Sequence, residues 1–205
     1  MILCDIGNTS YHFLQNQNSY REDAKSFNPE EVKEKVYFIC VNAEIKKRLL
    51  LLENWIDLAP FIDMNSYYAT MGIDRIFAVE AIENGIIIDA GSAITVDLVK
   101  DSAFMGGFIY PGIKAMQNAY TNISPALAYS FNFDVELDIM PKNSQDAISY
   151  GFVKTLYAEV ISYNMPIFLT GGDALAFKKV FKDAKVDEEL IFGAMKKIIK
   201  KAKLC

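Results

Sequence analysis

The chain is poor in the residues from which most metal and nucleophile sites are built. It has one histidine, His12, and three cysteines, Cys4, Cys40 and Cys205, none of them in a C-x-x-C spacing. The cysteines therefore read as buried or terminal free thiols, not as a metal cluster or a disulfide frame. There is no Ser–His–Asp arrangement and no glycine-rich loop ending in a Walker A lysine. No apolar run approaches the ~20 residues that would span a bilayer. The first residues carry no basic stretch and no A-x-A cleavage signal, and Asp5 interrupts their apolar run, so a cytoplasmic protein without a membrane partner is expected. Low-complexity segments and repeats with a period of about 20–50 residues are also missing. The net charge is −5, and no basic block precedes Lys196-Lys197 and Lys200-Lys201. Those lysines alternate with Ile198, Ile199 and Ala202, as on the solvated face of a last helix, which argues against a nucleic-acid partner.

What is present is a sizeable hydrophobic fraction and two acidic hairpins. At 205 residues, 52% of them hydrophobic, the chain can build one large domain or two small lobes. Near its middle, Gly85-Ile86-Ile87-Ile88-Asp89-Ala90-Gly91-Ser92 leads into Ala93-Ile94-Thr95-Val96-Asp97-Leu98. This reads as a buried strand, a turn of small residues and an antiparallel partner strand. The same design opens the chain: 1–5 is apolar up to Asp5, then Ile6-Gly7-Asn8-Thr9-Ser10 turns into a second strand over 11–14. Turns with so little side chain let backbone N–H groups approach an anion closely. Two of them suggest two half-sites of a phosphate-binding cleft between related lobes.

Between and after the hairpins, strands and helices alternate. A polar turn is expected over 15–19 and a short helix at Asn28-Pro29-Glu30-Glu31. A buried strand follows over 36–41, then a helix over 44–52, a short strand with its approaches over 55–62 and a helix over 72–82. A turn at 100–102 leads to a strand over 104–110, and Pro111-Gly112 starts a helix to about 120. Residues 124–140 show no clear period. A long helix is expected over 143–163, a strand over 166–170 that opens through Gly171-Gly172-Asp173 into a helix, and a last helix over 188–203. Hairpins mixed with alternating elements imply mixed sheets with helices on them, repeated twice.

Several stretches carry chemistry, each with a plainer alternative. Asp5 at a strand end could hold Mg²⁺ through water while Asn8 and Thr9 meet phosphate oxygens. The alternative is an ordinary polar turn. Asp89, behind three isoleucines, is a partly desolvated carboxylate that needs a cation or donors to stay ionised. Asp74 in Gly72-Ile73-Asp74-Arg75 could cap a helix, or accept a proton from a substrate hydroxyl while Arg75 grips a carboxylate or phosphoryl group. Gly106-Gly107-Phe108-Ile109-Tyr110-Pro111-Gly112 suggests close backbone approach to a ligand or partner lobe. Leu169-Thr170-Gly171-Gly172-Asp173-Ala174 would suit the flat face of a nucleoside, or simply cap a helix. His12 could lie near phosphate, or be structural. Tyr110, Tyr120, Tyr129, Phe131 and Phe133 read as core or interface.

Taken in order over nearly the whole chain, these stretches resemble the type III pantothenate kinases. That family belongs to the superfamily of acetate and sugar kinases, actin and chaperone ATPases. The resemblance rests on Asp5-Ile6-Gly7-Asn8-Thr9, Gly72-Ile73-Asp74-Arg75, Asp89-Ala90-Gly91-Ser92-Ala93-Ile94-Thr95, the Gly106 to Gly112 stretch, Asn143-Ser144-Gln145-Asp146-Ala147-Ile148 with Gly151, and Gly171-Gly172-Asp173-Ala174. Gly-x-Asp-Arg and Gly-Gly-x-Ile-x-Pro-Gly are the discriminating pair.

The resemblance implies an α/β fold of two RNase H-like lobes, mixed sheets with flanking helices and a cleft between them. The lobes would cover 1–83 and 84–187, with the helix over 188–205 packing back on the first. It implies ATP-dependent phosphorylation of pantothenate, with Asp74 as catalytic base and Tyr68, Gly72, Ile73, Asp74, Arg75 and Ser144 at the substrate. Asp5, Ile6, Gly7, Asn8, Thr9, Ser10, Tyr11 and His12 would form the first ATP motif, with Ser92, Gly171 and Gly172 also at ATP. The cofactors implied are Mg²⁺, held through water at Asp5, and K⁺ or NH₄⁺ at Asp89; a homodimer is implied as well. Ser92 and Ser144 stand where the family has threonine, which keeps the hydroxyl. Upstream of Gly72 the family has a tyrosine and then a proline, whereas here Tyr67-Tyr68 has no proline after it. Two other readings remain: another small-molecule kinase of the superfamily, such as a sugar kinase, and a nucleotide-binding regulator without turnover.

Overall fold

The structure, a computed structural model, describes residues 1–204, so the thiol expected at Cys205 lies outside the described residues. In chain order the strands and helices are β1 (Ile2–Ile6), β2 (Ser10–Gln15), β3 (Asn18–Asp23), β4 (Val36–Cys40), α1 (Ala43–Leu49), β5 (Trp55–Asp57) and α2 (Ile73–Ala81). Then come β6 (Gly85–Ala90), β7 (Ala93–Lys100), β8 (Ala103–Pro111), α3 (Ile113–Ile123), α4 (Ser144–Ser162), β9 (Ile167–Thr170), α5 (Ala174–Lys178), β10 (Lys185–Val186) and α6 (Leu190–Lys201). None of the described helices is long and apolar enough to cross a membrane. The chain divides into two units, one of Met1–Ala81 with the segment from Glu189 onward, the other of Ile82–Glu188.

Each unit is built on a five-stranded mixed sheet, and the two sheets have the same topology. In the first the order is β3-β2-β1-β4-β5, in the second β10-β9-β6-β7-β8. β1 pairs antiparallel with β2 and parallel with β4; β6 pairs antiparallel with β7 and parallel with β9. The expected pair of mixed sheets with flanking helices is therefore what the chain forms.

In the first unit, one sheet face buries Ile2, Cys4, Ile6, Tyr11, Phe13, Val36, Phe38, Cys40 and Trp55 with Leu49 of α1. Cys4 and Cys40 are free buried thiols, and burial pushes both thiols up, Cys40 to about 11. The remaining helices, α2 and α6, pack on each other, α6 also on β1 and α2 on β4. In the second unit, Ile86, Ile88, Ala90, Ile94, Val96 and Leu169 of the sheet pack against Phe152, Val153, Leu156 and Val160 of α4 and Phe177 of α5. Both cores follow the period-2 and period-3.6 patterns of their strands and helices.

The structure differs from the sequence-based reading in two places, β3 and β10. The polar turn expected over 15–19 is shorter: Asn16 and Gln17, at φ 50° and 70°, close a two-residue hairpin into β3. All six residues of β3 are exposed, so it has no hydrophobic alternation to reveal it. The strand β10 is only two residues long and left no pattern. Residues 124–140 follow an irregular path after a single 3-10 turn at Pro125–Leu127, but Phe131, Phe133 and Leu137 still pack against the second core.

Candidate active site

In the first unit, the start of α2 concentrates chemistry. The Gly72 carbonyl accepts the N–H of Ile76 at 3.1 Å, so the helix begins immediately after the glycine. Asp74 lies in the first turn, where a carboxylate is favoured by the helix dipole. Its Oδ1 accepts the N–H of Arg75 at 2.8 Å. A Cβ on Gly72 would collide with that same oxygen, so the missing side chain is what lets the carboxylate fold back. Burial, opposed by the Arg75 N–H and charge, leaves the Asp74 carboxyl above the usual aspartate range. Such a group is a stronger base than a surface carboxylate once ionised.

Arg75 is buried, and its Nη1 donates to the Tyr68 hydroxyl at 2.5 Å, with the guanidinium 5.8 Å from the Tyr68 ring centroid. Tyr68 itself is 44% exposed. Of the two adjacent tyrosines, Tyr68 therefore joins Asp74 and Arg75, while the Tyr67 hydroxyl donates to Glu80 at 2.8 Å. Nothing in the spacing pointed to Glu80.

The β1–β2 turn is closed by the Gly7 N–H on the Ser10 carbonyl at 3.0 Å, so that N–H is spent inside the turn. Asn8 and Thr9 are exposed at its tip, and Asp5 is half-buried at the end of β1. Ile6, Tyr11 and His12 are buried. Tyr11 packs on Phe27 at 4.6 Å between centroids, and His12 meets Phe192 edge-on at 4.8 Å with Nε2 2.7 Å from Ser19 Oγ. Burial and the nearby Arg21 charge lower the His12 pKa to about 4, so the ring is neutral at ordinary pH. These three side chains serve the interior of the unit.

In the second unit, three stretches converge on one turn. The Gly91 N–H closes the β6–β7 turn on the Ala93 carbonyl at 3.1 Å. Gly112, between β8 and α3, sits so close that a Cβ would stand 2.6 Å from the Gly91 carbonyl oxygen and still nearer that of Ser92. Gly171, between β9 and α5, has φ +87° and lies against Ala90 and the Asp89 carboxylate. The Asp173 N–H donates to the Ala90 carbonyl at 2.9 Å. The structure thus brings Asp89, Ser92, Gly112 and Gly171 together, with Ser92 and Gly172 exposed. These approaches explain the glycines at 112 and 171 without a ligand, and leave a small-residue surface beside a carboxylate.

Ser144 is exposed in the first turn of α4. The cap is Asn143, whose Oδ1 accepts the Asp146 N–H at 2.9 Å while its Nδ2 donates to Asp146 Oδ2 at 2.7 Å. Asn132, from the irregular segment, donates Nδ2 to Asp146 Oδ1 at 2.8 Å and its N–H to Ser149 Oγ at 2.8 Å. No sequence signal marked Asn132 as a partner. A cavity of about 620 Å³ in this unit, lined by Phe133, Leu137, Tyr157, Phe181 and neighbours, shares no residue with these groups.

A model of the type III pantothenate kinase family matches residues 56–164, which include the α2 start, the β6–β7 turn and the α4 cap. The type III pantothenate kinase of Sulfurimonas denitrificans is 62% identical over 205 residues, all of both chains. The chain belongs to the type III pantothenate kinase family. A Campylobacter jejuni crystal structure, described provisionally as a conserved Baf family transcriptional activator, is 39% identical with TM-score 0.91, covering 100% of each chain. A Sinorhizobium meliloti structure, described provisionally as a 2-dehydro-3-deoxygalactonokinase, gives TM-score 0.56 at 10% identity over 98% of this chain and 96% of its own. That likeness shows a shared fold alone.

Among the described residues no group of three or more His, Cys, Asp and Glu could hold a metal ion. Asp5 and Asp89 are single hard-oxygen donors at strand ends. They fit an ion that brings its own waters or phosphate oxygens, as Mg²⁺ does, and not a metal caged by protein alone.

Proposed function

We propose that the chain transfers the γ-phosphoryl group of ATP to the primary hydroxyl of pantothenate, giving 4′-phosphopantothenate in the first step of coenzyme A biosynthesis. The observation that carries this reading is the Asp74 carboxyl, partly desolvated, folded over Gly72 and adjoining an Arg75 bonded to Tyr68. The full-length match to a family of that activity supports it.

In this reading the hydroxyl oxygen attacks the γ-phosphorus. A new O–P bond forms, the bond from the γ-phosphorus to the bridging oxygen of ADP breaks, and the hydroxyl proton passes to Asp74. Arg75 presents a planar fork that matches a carboxylate, and Tyr68 fixes that fork. Gly72, Ile73 and Ser144 supply further contacts to pantothenate. Asp5, Asn8, Thr9 and Ser92 are assigned to the phosphates, and Gly171 and Gly172 to the adenosine. Asp5 would hold Mg²⁺ through water and Asp89 would hold K⁺ or NH₄⁺; when bound, these ions offset phosphate charge. Positioning and charge compensation supply most of such a rate enhancement. We further propose a cytoplasmic homodimer, as the resemblance implies.

The test is an ATP-consumption assay with and without pantothenate, with the product identified by mass. Consumption that depends on pantothenate, and a product heavier by one phosphoryl group, is expected. The description given to the Campylobacter jejuni structure favours one other reading, a nucleotide-binding regulator. ATP binding without product would support that reading instead.

A further inference from the structure

Tyr68 reaches Arg75 from a loop over residues 63–71. The loop begins at Asp63, which caps a 3-10 turn at Met64–Ser66 by accepting the Asn65 N–H at 3.1 Å. It ends at Met71, which is buried and donates its N–H to the Tyr68 carbonyl at 3.0 Å. In between, Met64, Asn65, Ser66, Tyr68, Ala69 and Thr70 are all exposed. Tyr67 is the exception. It is half-buried, and its hydroxyl donates to Glu80 Oε1 at 2.8 Å.

Glu80 lies five residues beyond Arg75 on α2, about 7.5 Å further along the axis at the usual rise per residue. Two neighbouring tyrosines thus fasten the loop to the same helix at two heights. The lower contact touches the acceptor site; the upper one does not. Burial and the bond to Glu80 push the Tyr67 hydroxyl upward, so it remains a donor throughout the working pH range.

We propose that Tyr67 and Glu80 act as a latch: their hydrogen bond holds the loop so that Tyr68 stays on Arg75, and thereby sets the affinity for the acceptor substrate. Both are positioning residues, since neither is assigned a contact with substrate. The proposal rests on the reading of Tyr68 and Arg75 as acceptor-site residues.

The experiment compares Tyr67→Phe, Glu80→Ala, Glu80→Gln and the double variant Tyr67→Phe/Glu80→Ala with the unmodified chain, measuring KM for pantothenate, KM for ATP and kcat. Losing one hydrogen bond to a carboxylate corresponds to about tenfold in an equilibrium constant. Tyr67→Phe and Glu80→Ala are therefore each expected to raise the pantothenate KM about tenfold, with the ATP KM unchanged. The double variant is expected to be no worse than either single, because both remove the same bond. Glu80→Gln keeps an oxygen acceptor and should recover most of the loss. A pantothenate KM within about twofold of the unmodified value in Tyr67→Phe overturns the latch, as does an equal rise in both KM values. If the unmodified chain leaves pantothenate untouched, the functional reading fails, and the latch is then read by amide exchange. Faster exchange over 64–71 in Tyr67→Phe supports it, and unchanged exchange overturns it.

Discussion

Gly112 and Gly91 meet backbone to backbone: a Cβ on Gly112 would stand 2.6 Å from the Gly91 carbonyl oxygen. No flexible side chain can yield there, so Gly112→Ala must move the β6–β7 turn. Overpacking of this kind costs about 1–3 kcal/mol, and it displaces Ser92, which the proposed function sets at the phosphates. Lower thermal stability and a raised KM for ATP are expected together. Gly172→Ala is the control for stability alone: a Cβ there meets nothing within 4 Å, so the melting temperature should be unchanged. Melting curves on both variants and ATP kinetics on Gly112→Ala check the pair.

Asp74 is expected to trade stability for catalysis. A general base contributes about 10²–10⁴-fold in rate, so Asp74→Asn should retain at most ~1% of kcat. The folded carboxyl has a raised pKa, mainly from burial, so the folded state favours the protonated form. Wild-type stability therefore falls as pH rises from the ordinary aspartate pKa through the folded one. Asn carries no charge to desolvate. The variant should melt no lower than wild type near pH 7, and any advantage should vanish in acid. Activity of the unmodified chain should rise with pH through a value above the usual carboxylate range. Near-normal turnover by Asp74→Asn would remove it as the base.

The sequence displayed the parts of this fold that bury one face. Strands β1, β4 and β6 are apolar runs ending in a carboxylate or a turn, and α4 shows Ile148, Phe152, Leu156 and Val160 at helical spacing. The strand β3 was hidden because its residues all face water. β10 was hidden because two residues make no pattern. Asp74 and Arg75 could be read from a four-residue motif, since local chemistry places both in one helical turn. Tyr67 with Glu80 and Asn132 with Asp146 could not be read, because each pair is joined by the path of a loop. His12 was legible only as an alternative: whether a histidine in a strand faces ligand or core depends on what covers that sheet face, and here Phe192 of α6 does.

His12 should make the protein acid-sensitive. Its pKa is lowered from 6.5 to about 4 by burial and by Arg21, so the folded state favours the neutral ring. The unfolded chain takes up a proton near pH 6.5, the folded one only near 4. The stabilisation is complete above the first value and is lost as pH falls toward the second. His12→Phe keeps an aromatic against Phe192 and removes the titration. The drop in melting temperature between pH 7 and pH 4.5 should be smaller in that variant; an equal drop in both chains would assign the acid sensitivity elsewhere.

Asp89 is expected to make the rate depend on the monovalent ion. The Asp89 carboxylate lies against the Gly171 backbone and beside the Ala90 carbonyl, and the proposed function sets the cation at that carboxylate. Replacing K⁺ by Na⁺ at fixed ionic strength should lower kcat, and Asp89→Asn should flatten that difference. Equal rates in the two salts would leave Asp89 as a turn residue only.

In the proposed function the Asn143 cap ties helix stability to substrate binding, because Ser144 is the first residue of the helix that it caps. Asn143 and Asp146 exchange hydrogen bonds reciprocally, and Asn132 adds a third bond from outside the helix. These amide donors hold the Asp146 carboxyl below the usual range. Its contribution is therefore present above the ordinary aspartate pKa and is lost as pH falls through the lower folded value. Asn143→Ala removes both hydrogen bonds of the exchange, and N-cap losses typically cost about 0.5–2 kcal/mol. Asn143→Asp keeps the acceptor for the Asp146 N–H but sets two carboxylates face to face, so it should recover little. Asn143→Ser keeps a cap without that repulsion and should recover most of the stability. If Ser144 contacts pantothenate, the KM for pantothenate should follow the same order, Ala and Asp above Ser, with ATP kinetics unaffected. Stability that changes in this order while the pantothenate KM stays constant would detach Ser144 from the substrate.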